Sequence, residues 1–173
     1  MKPEMLSKIC AQISVYFQKA FESNQVNPGL RSFENGNFAN VLGYHAKYYL
    51  AMSYYQLADA QIKFVEEKAK GMGKAITLCK ITVARFDEAK PFVQSLGGVY
   101  KAGFDKAYSD AVNMLNKAIS ENKSIYYESE VPVDEINKPD PKNFVSCISI
   151  ADELNSSTHL DESLRHLVPP AVK

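Results

Sequence analysis

The chain has 173 residues, 46% of them hydrophobic and 23% charged, enough apolar material for one domain with a buried core. Twenty Lys and Arg balance twenty Asp and Glu, and no basic run stands out, so charge gives no drive toward nucleic acid or an anionic membrane. The cysteines Cys10, Cys79 and Cys147 are odd in number and far apart, which excludes a disulfide framework and zinc-ligand spacing and favours reduced thiols.

Residues 4–23 read as a helix with Pro3 near its first turn. At 100° per residue, Met5, Ile9 and Tyr16 share one flank, and Leu6, Cys10, Ile13, Phe17 and Phe21 share the next. Together they cover an arc of roughly 160°, wider than the ~100° stripe that one neighbour requires. This helix should therefore touch two things. Residues 24–36 hold Pro28-Gly29 and Asn35-Gly36 and read as a turn-rich connection.

A long helix is expected over 37–70, about 50 Å if unbroken. It carries two stripes: Phe38, Leu42, His45, Tyr49 and Met52, and then Val41, Tyr44, Tyr48, Ala51, Tyr55, Ala58, Ile62 and Val65. Burial on two sides is the mark of an inner helix in a stack. Gly71-Met72-Gly73 predicts a tight turn. The next helix shows Met72, Ile76, Cys79, Val83 and Phe86 on one face and should end near Pro91. Gly97-Gly98 marks another break. A last long helix over 104–121 presents Phe104, Ala107, Ala111, Leu115, Ala118 and Ile119, whose alanines permit close approach.

Residues 125–150 contain Pro132, Pro139 and Pro141 without helical period and read as an extended tail laid over the helices. Residues 151–158 read as polar linker, and 161–167 as a short helix stopped by Pro169-Pro170. The expected fold class is all-α: stacked antiparallel helical hairpins, a tetratricopeptide-like solenoid, with an extended C-terminal tail from about residue 124. The strict 34-residue repeat is not present. The domain division is 1–150 and 151–173.

No catalytic, cofactor or metal site emerges. The chain contains no GxSxG, P-loop or GxGxxG. Glu66-Glu67 and Asp87-Glu88 read as solvated helix surface, His45 as a packed, hydrogen-bonded histidine among tyrosines, and His159 and His166 as tail residues without metal-ligand partners. Met5 and Ile9 admit two readings, packing inside the chain or contact with a foreign helix. Lys8 reads as a solvated lysine or as a contact for an acidic partner.

Three segments resemble the Bro domain family of ALIX-like, ESCRT-associated adaptors. MKPEMLSKICAQISVYFQKAF over 1–21 is similar to that family's central-arm helix, through Met1-Lys2, Lys8, Gln12, Tyr16-Phe17 and Ala20-Phe21. MGKAITLCKITVARFDEA over 72–89 resembles its helix that opens on a glycine, and ENKSIYYESEVP over 121–132 its asparagine-rich helix end, Ile-Tyr, acidic residues and Val-Pro. Leu167-Val168-Pro169 is similar to the close of the domain. The resemblance covers the C-terminal half of such a domain, without its N-terminal sheet and first helices.

The resemblance implies a protein-interaction scaffold rather than an enzyme, acting in endosomal sorting by docking the C-terminal amphipathic helix of an ESCRT-III subunit. Met5 and Ile9 map onto the aliphatic pair of the family's docking patch, with Lys8 beside them for acidic flanks of the partner helix. Tyr126 maps onto a tyrosine associated with partner binding, with anchoring of the tail as its other reading. The expected location is cytoplasmic with recruitment to endosomes, since neither a signal peptide nor an apolar run long enough to span a membrane is present. The alternative is a structural helical-repeat module that self-associates through the exposed first helix or bridges domains.

Overall fold

The computed structural model describes residues 2–27, 29 and 37–143. Four long helices carry the fold: α1 (Pro3–Val26), α2 (Asn37–Lys68), α3 (Met72–Leu96) and α4 (Gly98–Glu121). No strand occurs among the described residues. Each helix runs antiparallel to the one before it. Ser14 and Phe17 of α1 meet Ala46 and His45 of α2. The pairs Tyr48–Phe86 and Gln61–Gly71 join α2 to α3 in opposite senses. Phe86 meets Phe104, whereas Met72 lies near Ala118, which reverses α4 on α3. The all-α stack of helical hairpins expected from the sequence is the fold observed.

Three apolar clusters run along the stack. Tyr44 and Ala51 of α2, Phe86, Ala89 and Val93 of α3 and Phe104 and Ala111 of α4 form the first. The alanines bring the backbones close enough for the aromatic rings to meet edge-to-face, as Phe86 does with Phe104 at 5.9 Å. Tyr54, Ala58, Leu78 and Cys79 form the second, and Val65, Met72, Ala75, Ile76 and Ala118 the third. The faces that periodicity predicts for α3 and α4 are those that are buried.

α1 packs differently from the reading of its apolar arc. Its innermost stripe is Ser7, Ala11 and Ser14, spaced four and three residues apart. Small side chains let α1 lie close on α2, and Ser14 Oγ donates to the Ala46 carbonyl oxygen at 2.8 Å. Phe17 and Phe21 flank that seam, Phe17 stacked on His45 and Phe21 edge-on to Phe92 of α3.

Two boundaries differ from expectation. α3 does not end near Pro91 but continues to Leu96. Pro91 and Asp87, whose carbonyl loses its donor, both lie on the exposed face, so water can serve that oxygen. Val93, buried in the first cluster, holds the helix together beyond the proline. α4 begins at Gly98 rather than near residue 104, because Gly97 (φ 65°) and Gly98 (φ 35°) complete the turn between them and Tyr100 already packs edge-on to Tyr44.

Beyond α4 the backbone makes a π-helical turn over Asn122–Tyr126 and enters an extended run broken only by a 3-10 turn at Val133–Glu135. This run lies over the helices as expected. The compact unit spans Met1–Lys142. The linker and short helix expected over 151–167, together with Cys147, His159 and His166, lie outside the described residues.

Candidate functional site

The tail is fixed by a polar clasp at the start of α3. Gly71 and Gly73 offer that helix no side-chain cap, which leaves backbone N–H groups pointing outward. Glu128 supplies the missing acceptor from 55 residues away in the chain. Its carboxylate accepts from Gly71 N at 2.8 and 3.1 Å and from Gly73 N at 3.0 Å. Asn122 holds Glu128 in turn, its side-chain amide donating to the Glu128 carbonyl at 2.9 Å and accepting from the Glu128 N–H at 3.0 Å.

The chain then passes so close to Gly73 that a Cβ there would stand 1.9 Å from the Ser129 carbonyl oxygen. Thr77 Oγ1 donates to the Val131 carbonyl at 2.7 Å, and Lys80 pairs with Glu130 at 2.6 Å. Ile136, 8% exposed, plugs the second apolar cluster. Finally Asp140 reaches Lys8 on α1 at 3.5 Å.

Against this frame the four singled-out residues fall in different places. On α1, Met5 and Ile9 lie about 200° around the helix from Ser7 and Ala11, the stripe seated on α2. Met5 is 40% exposed, Ile9 is half-buried, and Tyr16 on the same flank is 50% exposed. Neither Met5 nor Ile9 belongs to any of the three core clusters. Lys8 turns from that flank toward the tail and its pairing with Asp140. Tyr126 is half-buried against the third cluster, at the α3–α4 end, while Tyr127 beside it is 75% exposed with φ 54°. The structure therefore keeps Met5 and Ile9 on one surface and Tyr126 elsewhere.

His45 stacks on Phe17 with ring centroids 4.7 Å apart and meets Tyr44, Tyr49 and Tyr100. The hydrogen bond expected for it is missing at Nδ1, which is buried without a partner. Burial lowers its pKa from the usual imidazole value. Burial likewise pushes the Cys79 thiol up to about 12 and raises that of Cys10. The acidic doublets are surface groups: Glu66 and Glu67 are exposed, Asp87 pairs with Lys90 at 2.6 Å, and Glu88 pairs with Lys47 at 3.5 Å and with Arg85. Among the described residues no cluster of His, Cys, Asp and Glu is arranged to hold a metal, and no helix is long and apolar enough to cross a membrane.

Sequence reasoning missed the clasp residues Asn122, Glu128 and Thr77. One signal was present: a helix opening on Gly-Met-Gly has no local capping side chain and needs an acceptor from elsewhere. Nothing in the pattern distinguished Tyr127 from Tyr126, because the π-turn sets which of them points out.

The model of the family described as BRO1-like domain matches the chain over residues 1–173. Comparison with curated proteins finds no match.

Proposed function

We propose, from the premise that the chain belongs to the BRO1-like domain family, that it docks the C-terminal amphipathic helix of an ESCRT-III subunit on the outer flank of α1. The family is one of protein-interaction adaptors in ESCRT-related sorting. The observation that carries the reading is the flank itself. Met5 and Ile9 stand one turn apart on a rigid helix, turned away from the chain's own core and accessible in part. That is the spacing at which an incoming helix sets its aliphatic anchors, and the thioether of Met5 adapts to varied partners. Tyr16 extends the same surface by two turns. In this reading the protein works without chemistry, in the cytoplasm, and is recruited to endosomes by the partner.

Ile9→Asp is the test, because it places a carboxylate where an aliphatic anchor would be buried. An affinity loss of about 2 kcal/mol or more, roughly thirtyfold, is expected in calorimetry with an ESCRT-III tail peptide. Circular dichroism should show the helices intact. Unchanged affinity would remove the assignment of this patch. Because the exposed side chains of Met5 and Tyr16 also suit a second copy of the chain, sedimentation at high concentration separates the alternative of self-association: a strictly monomeric species counts against it.

A further inference from the structure

A second recess lies on the side of α1 away from the Met5 and Ile9 flank. It is a groove of about 400 Å3 between the start of α1, the end of α2, the start of α3 and the tail. Leu57, Phe64, Leu78 and Ile136 give it an apolar lining, and Phe64 is 41% exposed although it is a large aromatic. The volume sits at the small end of the ~300–1,000 Å3 of ligand pockets, enough for side chains but not for a folded element.

The charges around it are uneven. Lys8 and Asp140 neutralise one another at 3.5 Å. Glu4 also lines the groove and forms no ion pair among the described residues, since Lys63 is taken by Asp59 at 2.7 Å. Lys74 and Lys138 also line the groove, and neither forms an ion pair among the described residues. Lys80, about a turn and a half beyond Lys74 along α3, is by contrast paired with Glu130 of the tail. A third polar group is left over: Ser7 lines the groove, and its Oγ is buried with no hydrogen-bond partner. Buried hydroxyls are ordinarily satisfied, so an unserved one in a groove wall points to an absent acceptor or donor.

We propose that this groove is a docking site, separate from the α1 flank, for a short acidic segment of a partner polypeptide. Aliphatic side chains of the segment fill the floor at Leu57, Phe64 and Ile136, and its carboxylates meet Lys74 and Lys138. A polar group of the segment serves the Ser7 hydroxyl. Two unpaired lysines against the single carboxylate of Glu4 leave the rim of the apolar floor net positive, so an acidic segment adds attraction to burial where a neutral or basic one does not. The tail forms one wall of the groove through Ile136 and residues 137–140, with Asp140 paired to Lys8 beside it.

The test uses two capped pentapeptides, Asp-Leu-Glu-Leu-Asp and the neutral Asn-Leu-Gln-Leu-Asn, titrated into the full 15N-labelled chain. The acidic peptide is expected to shift the amides of Ser7, Gln61, Lys74 and Ile136, and the neutral one to bind about tenfold more weakly. Lys74→Ala combined with Lys138→Ala should weaken the acidic peptide by about the same tenfold, as two partly exposed charge pairs allow, without altering the helical spectrum. Ile9→Asp should leave this binding unchanged, which separates it from docking on the α1 flank. Equal binding of the two peptides, shifts centred on Met5 and Ile9, or no groove-centred shift at all would overturn the proposal. So would concentration-dependent shifts at the groove without peptide, which would assign it to a second copy of the chain.

Discussion

Removing the Glu128 carboxylate should loosen the whole tail. In Glu128→Ala the N–H groups of Gly71 and Gly73 lose bonds of 2.8 and 3.0 Å to a charged acceptor. Gly73 is buried beneath Ser129, so water cannot readily replace the lost partner there. Hydrogen bonds to charged groups are worth about 1.5–3 kcal/mol, and loss of a helix cap about 0.5–2 kcal/mol. These figures describe overlapping effects, so the expected loss is about 2–3 kcal/mol rather than their sum. Urea unfolding followed by circular dichroism at 222 nm measures it. Glu128→Gln keeps an oxygen acceptor without the charge and should lose about half as much. Asn122→Ala breaks the two bonds that hold the Glu128 backbone, at 2.9 and 3.0 Å. Because both substitutions free the same extended segment, the double variant should lose less than the two singles added, by about 0.5–1 kcal/mol. A Glu128→Ala protein within about 0.5 kcal/mol of the parent would refute the claim that this carboxylate caps α3.

Three further outcomes follow from the packing. Gly73→Ala puts a methyl 1.9 Å from the Ser129 carbonyl oxygen, so it should displace the tail and cost at least as much as Glu128→Ala, with proteolysis between 123 and 143 accelerated. His45 is favoured in its neutral form by burial, so its folded pKa lies below its unfolded one. The unfolded chain then binds the proton more readily, and stability falls as pH drops below about 6.5; His45→Phe should remove that component when denaturation midpoints of the two proteins are compared at pH 7.5 and 5. Cys79 is fully enclosed and its thiol pKa is about 12, so iodoacetamide at pH 8 should leave it unmodified until urea unfolds the chain, as site-resolved mass spectrometry would show.

The sequence disclosed most where one periodicity answered to one neighbour. Met72, Ile76, Cys79 and Phe86 repeat at helical spacing and are all buried. The two stripes of α2 likewise foretold a helix packed on both sides, between α1 and α3. α1 was harder to read because its seam uses Ser7, Ala11 and Ser14, which hydropathy does not mark, and leaves part of the greasier arc outside. Pro91 misled because a proline on the exposed face of a helix disturbs only a carbonyl that water can reach. Long-range pairings were invisible altogether: no local rule links Glu128 to Gly71, or Asp140 to Lys8. The width of the α1 arc left Met5 open between packing inside the chain and exposure, and the structure leaves it 40% exposed. The groove beside Lys74 and Lys138 was not legible, since three helices and the tail are needed to enclose it.

Helices stacked in a row normally feel only their immediate neighbours, so such rows can fray from either end one hairpin at a time. Here the segment after α4 doubles back past α3 through Thr77 and Lys80, plugs the α2–α3 seam with Ile136, and ends on Lys8 of α1. The last part of the compact unit thereby touches its first helix, but the firm fastening of the tail is to α2 and α3, and the exposed Lys8–Asp140 pair only tacks its end to α1. The cost falls on speed: the Thr77 and Lys80 contacts close loops of 54 and 50 residues, so they form later than the turns between adjacent helices and slow folding relative to local hairpins alone.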